Sequence, residues 1–84
     1  MIEIYQMEDC PYCVKVRSAL YEMGVDYVVR NISSEATWKK LVELGGDDQV
    51  PFLVDAEKGV RMYESDDIID YVKRTYGGVA GRRG

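Results

Sequence analysis

The chain has no histidine, and only two of its 84 residues are cysteine. A tetrahedral zinc centre needs four donors, so two thiolates could hold the metal only with carboxylates or a second chain, and no metal is expected. A purely structural disulfide is equally disfavoured, because the small loop between the two cysteines would remove little entropy from the unfolded chain. An excess of basic residues is missing as well: the net charge is −4 and the isoelectric point near 4.7. Neither nucleic acid nor an anionic membrane is therefore an expected partner, since both attract a surplus of Lys and Arg. No apolar run approaches the length that spans a bilayer, and Met1-Ile2-Glu3-Ile4 starts a strand-like pattern with no basic-then-apolar leader before it. A soluble, monomeric, cytoplasmic protein is expected, in a reducing compartment where a cysteine pair acts as a reagent. The length allows one domain, burying roughly 60% of the surface that the unfolded chain exposes. There is no internal repeat.

What the chain does have is Cys10-Pro11-Tyr12-Cys13, placed where a short apolar run (Ile2, Ile4, Tyr5) gives way to a pattern of helical period. Two cysteines separated by two residues at a strand-to-helix junction read as a redox pair. The first N–H groups of a helix lack intrahelical partners and carry partial positive charge, which favours an anion beside them. Cys10 falls at the N-cap, and Pro11 at the first helical position, where its missing N–H costs nothing. A Cys10 thiolate in that setting is expected to have a pKa in the range of about 3.5–7.5. Cys10 is therefore the expected attacking sulfur, and Cys13, one turn further and directed inward, the resolving thiol that closes an intramolecular disulfide.

Around this pair the chain reads as alternating elements. Ile2 to Gln6 is a strand, followed by the acidic loop Met7-Glu8-Asp9. Cys13, Val16, Leu20 and Met23 form one apolar stripe of a helix that ends at Gly24, with Lys15, Arg17 and Glu22 on its surface. Val25 to Asn31 is a second strand, giving a βαβ unit with parallel strands. Ser33 or Ser34 caps a second helix with Trp38, Leu41 and Val42 on one face, stopped by Gly45-Gly46. Trp38 is expected to pack or lie half exposed. Phe52-Leu53-Val54 and Val60-Arg61-Met62-Tyr63 form a hairpin about Ala56-Glu57-Lys58-Gly59. Ser65 is placed as the cap of a third helix, with Ile68, Ile69, Val72 and Tyr76 buried and Asp66 and Asp67 in its first turn, as the helix dipole favours. The order is βαβ, α, ββα: an α/β domain, residues 1–78, with a four-stranded mixed sheet and three helices covering both faces. Glu3, the polar exception among the apolar strands, is expected at the open start of its strand. Residues 79–84, rich in Gly and Arg and without periodicity, read as a disordered tail.

Two further stretches are candidates for the same site. Val50-Pro51 precedes the third strand, and an ordinary trans peptide is the residue-level expectation there. The start of the third helix, Ser65-Asp66, offers free N–H groups to a carboxylate, while Glu64 and Asp66 could hold an amine. A plain helix cap explains the same residues.

Cys10-Pro11-Tyr12-Cys13-Val14-Lys15, Val50-Pro51 and Ser65-Asp66-Asp67 together resemble a glutaredoxin, over nearly everything from Ile2 to Gly77. Met62 to Tyr71 looks more like the glutathione-binding N-terminal domain of glutathione transferases, in the same thioredoxin-fold superfamily. The resemblance implies a thioredoxin-like fold with Cys10 as nucleophile, Cys13 as resolving thiol and Tyr12 beside a bound thiol. It also implies a cis Val50-Pro51 bond, with the Val50 backbone pairing the ligand's cysteinyl unit, and a γ-glutamyl end held by Ser65 and Asp66 with help from Glu64. Where glutaredoxins usually carry a lysine, this chain has Met7, followed by Glu8 and Asp9. Two acids so close to a thiolate are expected to raise its pKa and to repel an anionic tripeptide.

The expected function is a glutaredoxin-like thiol–disulfide oxidoreductase acting on protein or glutathione-type mixed disulfides. Glutathione or another low-molecular-weight thiol would supply electrons, or a reductase would. The alternatives are a thiol-binding module related to the transferase N-terminal domain and a small redox carrier served by thioredoxin reductase. Conjugation to electrophiles would need a second, helical domain, for which this length leaves no room. A cluster carrier built from Cys10 of two chains is disfavoured by the tight turn at Pro11.

Overall fold

The computed structural model describes residues 1–77, so the predicted tail at 79–84 and the last residue of the predicted domain lie outside the described residues. The chain forms β1 (Glu3–Gln6), α1 (Pro11–Met23), β2 (Val28–Asn31), α2 (Glu35–Gly45), β3 (Phe52–Asp55), β4 (Val60–Tyr63) and α3 (Ser65–Val72), closed by a π-helical turn, Lys73–Gly77. A 3₁₀ turn, Ala56–Lys58, joins β3 to β4. The strands lie in the order β2-β1-β3-β4, with β1 parallel to β2 and antiparallel to β3, and β3 antiparallel to β4. This is the expected four-stranded mixed sheet with three helices.

Successive residues of a strand face opposite sides of a sheet, and here that alternation divides the core in two. Ile4 and Leu53 pack with Val16 and Leu20 of α1 and with Ile68 and Val72 of α3. Tyr5, Phe52 and Val54 face the other way, against Leu41 of α2. The central strands β1 and β3 are therefore buried on both faces, as near-continuous apolar runs require. The outer strands are not: three of the four β2 residues are exposed, a departure from the expectation of uniformly covered strands that follows from the position of β2 at the sheet edge. Glu3 lies at the start of β1, paired to Arg30 of β2 at 2.9 Å.

Two boundaries differ from the sequence reading. β2 starts at Val28, not Val25, because the Val25 N–H is bonded back to the Leu20 carbonyl at 3.0 Å as part of the α1 terminus, and pairing with β1 begins where Val28 N–H meets Ile2 C=O at 2.9 Å. Ser65 is the first residue of α3 and does not cap it: the N-cap is Glu64, at φ 75°. Ser34 does cap α2, its Oγ accepting from Thr37 N–H at 3.4 Å, and Trp38 is 40% exposed. The buried face of α3 also includes Tyr71. Among the described residues no helix is long and apolar enough to cross a membrane.

Candidate functional site

The head of α1 is formed by the cysteine pair. Cys10 is the N-cap in extended conformation, Pro11 begins the helix, and the first intrahelical bond runs from Val14 N–H to Cys10 C=O at 2.9 Å. The N–H groups of Tyr12 and Cys13 therefore precede the helical ladder. Both cysteines are free thiols; Cys10 is partly exposed and Cys13 fully buried. Burial alone would raise the Cys10 pKa, but the backbone N–H groups of Cys13 and Tyr12, the Cys13 thiol and the Arg17 charge outweigh it, and the net shift is downward. This stabilisation is diffuse, since no first-turn N–H forms a cap hydrogen bond to the Cys10 side chain. Burial drives Cys13 the other way, to about 11, helped by its hydrogen bond to Cys10 and by the Cys10 charge. The N–H of Met7 donates to Cys13 Sγ at 3.5 Å and partly offsets that rise. The two sulfurs thus differ in the sense that attack followed by resolution requires.

The acidic loop does not keep the Cys10 pKa from falling: Glu8 and Asp9 are exposed, where solvent screens them, and the charge named on both thiols is that of Arg17. Arg17 is half-buried and not a solvated surface residue: its guanidinium donates to Gln6 Oε1, to Glu8 C=O at 3.0 Å and to Met7 C=O at 3.4 Å. Buried Gln6 donates in turn to Asn31 Oδ1 at 2.5 Å, so α1, β1, β2 and the loop before Cys10 are tied into one network.

Beside the α1 terminus lies a cleft of about 390 Å³ lined by Tyr12, Lys15, Gln49, Val50, Pro51, Glu64, Ser65 and Asp66. All six residues expected to hold a thiol ligand, Tyr12, Val50, Pro51, Glu64, Ser65 and Asp66, meet there, from separate parts of the chain. The Val50-Pro51 bond is cis. The Val50 peptide groups make no hydrogen bond among the described residues, and the first helical bond of α3, Ile68 N–H to Glu64 C=O at 2.9 Å, leaves the N–H groups of Ser65, Asp66 and Asp67 ahead of its ladder. Ser65 is buried and Asp66 exposed. Glu64 Oε2 accepts from Gln49 Nε2 at 3.0 Å, and Lys15 Nζ lies 2.5 Å from Asp66 Oδ1.

Sequence reasoning does not single out Lys15, Gln49 or Arg17. A signal existed for Arg17, which follows Cys13 by four residues and so shares its helix face. None existed for Lys15 and Asp66, separated by 51 positions, because only the packing of α1 beside α3 brings them together.

Sheet order, helix placement and the position of the cysteine pair define a thioredoxin-like domain. A structure described as a mutant of the thioredoxin-like protein BC3987 superposes with a TM-score of 0.73 at 24% identity, covering 88% of this chain and 96% of that one. The sequence profile of the glutathione S-transferase N-terminal domain matches residues 4–80, and the chain belongs to that family. A glutathione S-transferase from the Antarctic clam Laternula elliptica is 29% identical with a TM-score of 0.74, covering 89% of this chain and 35% of its own. A glutathione transferase homologue from Sulfitobacter, solved with bound glutathione, is 20% identical with a TM-score of 0.77, covering 96% of this chain and 39% of its own. The chain thus spans little more than a third of the transferase chains it resembles. No curated protein sequence matches it.

Proposed function

We propose that this domain is a glutaredoxin-like thiol–disulfide oxidoreductase that works through Cys10 and Cys13 and takes glutathione or a closely similar thiol in the adjoining cleft. The observation that carries the reading is the asymmetry of the pair: a partly exposed Cys10 with a lowered pKa in front of a fully buried Cys13 raised to about 11. The Cys10 thiolate attacks one sulfur of a disulfide, forming a mixed disulfide and releasing the other half as a thiolate. Two of the influences that raise Cys13, the Cys10 charge and the hydrogen bond to Cys10, are then gone, so the Cys13 thiol gives up its proton more readily. Its sulfur attacks Cys10, the Cys10–Cys13 disulfide forms, and the second half of the substrate leaves as a thiol. Two electrons have passed to the substrate, and two equivalents of a small thiol, or a reductase, return them.

The cleft suits a peptide-like thiol. The Val50 N–H and C=O, without a hydrogen bond among the described residues, suit an extended cysteinyl unit, and the leading N–H groups of α3 suit a carboxylate. Asp66 and Glu64 carry the negative charge that an amine would meet. The glutathione bound to the Sulfitobacter homologue supports the same ligand class here. Three exposed apolar side chains close to the cysteines in sequence, Met7, Tyr12 and Val14, favour protein disulfides as substrates. In this reading the domain acts as a monomer in the cytoplasm, with residues 1–78 as its folded unit and no second domain needed for the chemistry.

The test is a pair of variants. Cys10→Ser abolishes reduction of protein and mixed disulfides, while Cys13→Ser keeps activity toward glutathione mixed disulfides and accumulates a Cys10 adduct visible by mass. Equal loss from both variants, or full activity in Cys10→Ser, would overturn the role assignment.

A further inference from the structure

The cleft holds a charge of its own where a ligand's charge would go. Lys15, reaching from α1, places Nζ 2.5 Å from Oδ1 of Asp66, which stands in the first turn of α3, and both side chains line the cleft. Lys15 is the one cation among the described residues that line it. The other acid, Glu64, is bonded to the neutral amide of Gln49 at 3.0 Å. An α-ammonium group approaching Asp66 must therefore displace an ammonium group already there, and displacement is feasible because the pair is solvent-exposed, at 52% for the Lys15 side chain and 80% for that of Asp66.

We propose that Lys15 is a built-in competitor for the amine-binding end of the cleft, a specificity-determining residue that lessens the preference for thiols bearing a free α-amine. This rests on the thiol-binding reading above and adds to it a residue and a direction. Asp66 accepts from Lys15 when the cleft is free and from the ligand's ammonium when it is filled. A ligand that differs only by lacking the amine leaves the Lys15–Asp66 pair closed, and so gains nothing when Lys15 is removed.

The experiment compares two thioethers that cannot exchange with the cysteines: S-methylglutathione and its counterpart in which glutaryl replaces γ-glutamyl, identical except for the α-ammonium. Dissociation constants are measured by calorimetry on the native protein, Lys15→Gln and Lys15→Arg. Loss of one positive charge weakens the glutaryl ligand, which has two carboxylates and no ammonium, more than S-methylglutathione at long range, so the informative quantity is their ratio in about 0.5 M salt, where that unequal long-range part is screened and the displacement at Asp66 remains. Lys15→Gln is expected to raise the preference for the amine-bearing ligand by about two- to fivefold, the scale of one exposed ion pair. Lys15→Arg, which keeps the charge, should retain the native ratio. A ratio unchanged or lowered in Lys15→Gln, with binding intact, overturns the competitor role. Absence of binding by either ligand to every form, together with no glutathione adduct on Cys10, overturns the thiol-binding reading itself.

Discussion

At the scale of single residues, the thiol of Cys10 also feels the charge of Arg17, the last in size of the influences that lower it, which helical spacing places on the Cys13 face but does not aim. The CxxC spacing, the proline after the first cysteine and the switch from apolar run to helical period suffice to place Cys10 at a helix terminus with Cys13 behind it, because each is a short-range property of the chain. Arg17 is different. Its effect is that of its charge, held in place by bonds to the carbonyls of Met7 and Glu8 and to Gln6, which exist only once β1 and its following loop fold back over α1. Arg17→Met should move the midpoint for alkylation of Cys10 to higher pH and slow the reaction at neutral pH by about two- to fivefold, as expected for a charge interaction worth roughly 0.5–1 kcal/mol. Arg17→Lys, which keeps the charge but loses the multiple bonds to the loop, should fall between. The measurement is the pH profile of iodoacetamide modification, read by mass at Cys10. An unchanged profile in Arg17→Met would mean that the helix terminus and the Cys13 thiol set Cys10 without it.

At the scale of elements, periodicity recovers all four strands and all three helices, and errors gather at junctions. Ser65 followed by two acids has the composition of a cap, yet the capping position belongs to Glu64, because the chain leaves β4 at Tyr63 and must turn at once into α3. That turn puts Glu64 at φ 75° and ψ 115°, a region that side chains rarely occupy. Such conformations cost on the order of 1–3 kcal/mol and gather where structure serves binding. Glu64 lines the cleft, which fits that pattern. Glu64→Gly should therefore raise the unfolding free energy by up to about 1 kcal/mol, net of the greater freedom of glycine in the unfolded chain, whereas Glu64→Ala, with its Cβ retained, should not. Both should weaken binding of a thiol ligand, since both remove the carboxylate and its bond to Gln49. Urea unfolding and ligand titration of the two variants separate the backbone effect from the side-chain effect; a Glu64→Gly protein less stable than Glu64→Ala would show that the junction carries no strain.

At the scale of the whole molecule, the end of the sheet remote from Pro51 is closed by a buried carboxylate. Asp55, at the last position of β3, is 2% exposed and accepts from Tyr71 Oη of α3 and Tyr76 Oη of the closing turn, each at 2.6 Å. The sequence reading counts Tyr76 only as part of the buried apolar face of α3, since nothing in the spacing of 55, 71 and 76 links a strand end to two phenols. Burial would raise the Asp55 pKa, but the two phenols, joined by the backbone N–H and the charge of Lys58, outweigh it and hold it below its usual 3.8. The phenols rise to about 12, Tyr71 through burial and then the bond to Asp55, Tyr76 through that bond first. Both shifts make stability depend on pH, with opposite signs. Asp55 holds its proton less tightly when folded, so its contribution is present above the carboxyl pKa of the unfolded chain and disappears as pH falls through the lower folded value. The phenols hold theirs more tightly, so their contribution is whole below the unfolded phenol pKa of 10.0 and disappears as pH rises toward about 12. The urea midpoint should accordingly be level near neutrality and fall at both extremes. Tyr71→Phe should cost about 1.5–3 kcal/mol at neutral pH, the range for a bond to a charged acceptor. It should also flatten the alkaline fall without abolishing it, because Tyr76 keeps its bond to Asp55, and burial raises Cys13, Tyr5 and Tyr27 as well. Asp55→Asn should flatten the acid fall and, by removing the charge that raises both phenols, the alkaline one too. If the alkaline limb of Asp55→Asn matches that of the native protein, the carboxylate is not what ties β3 to α3 and the closing turn.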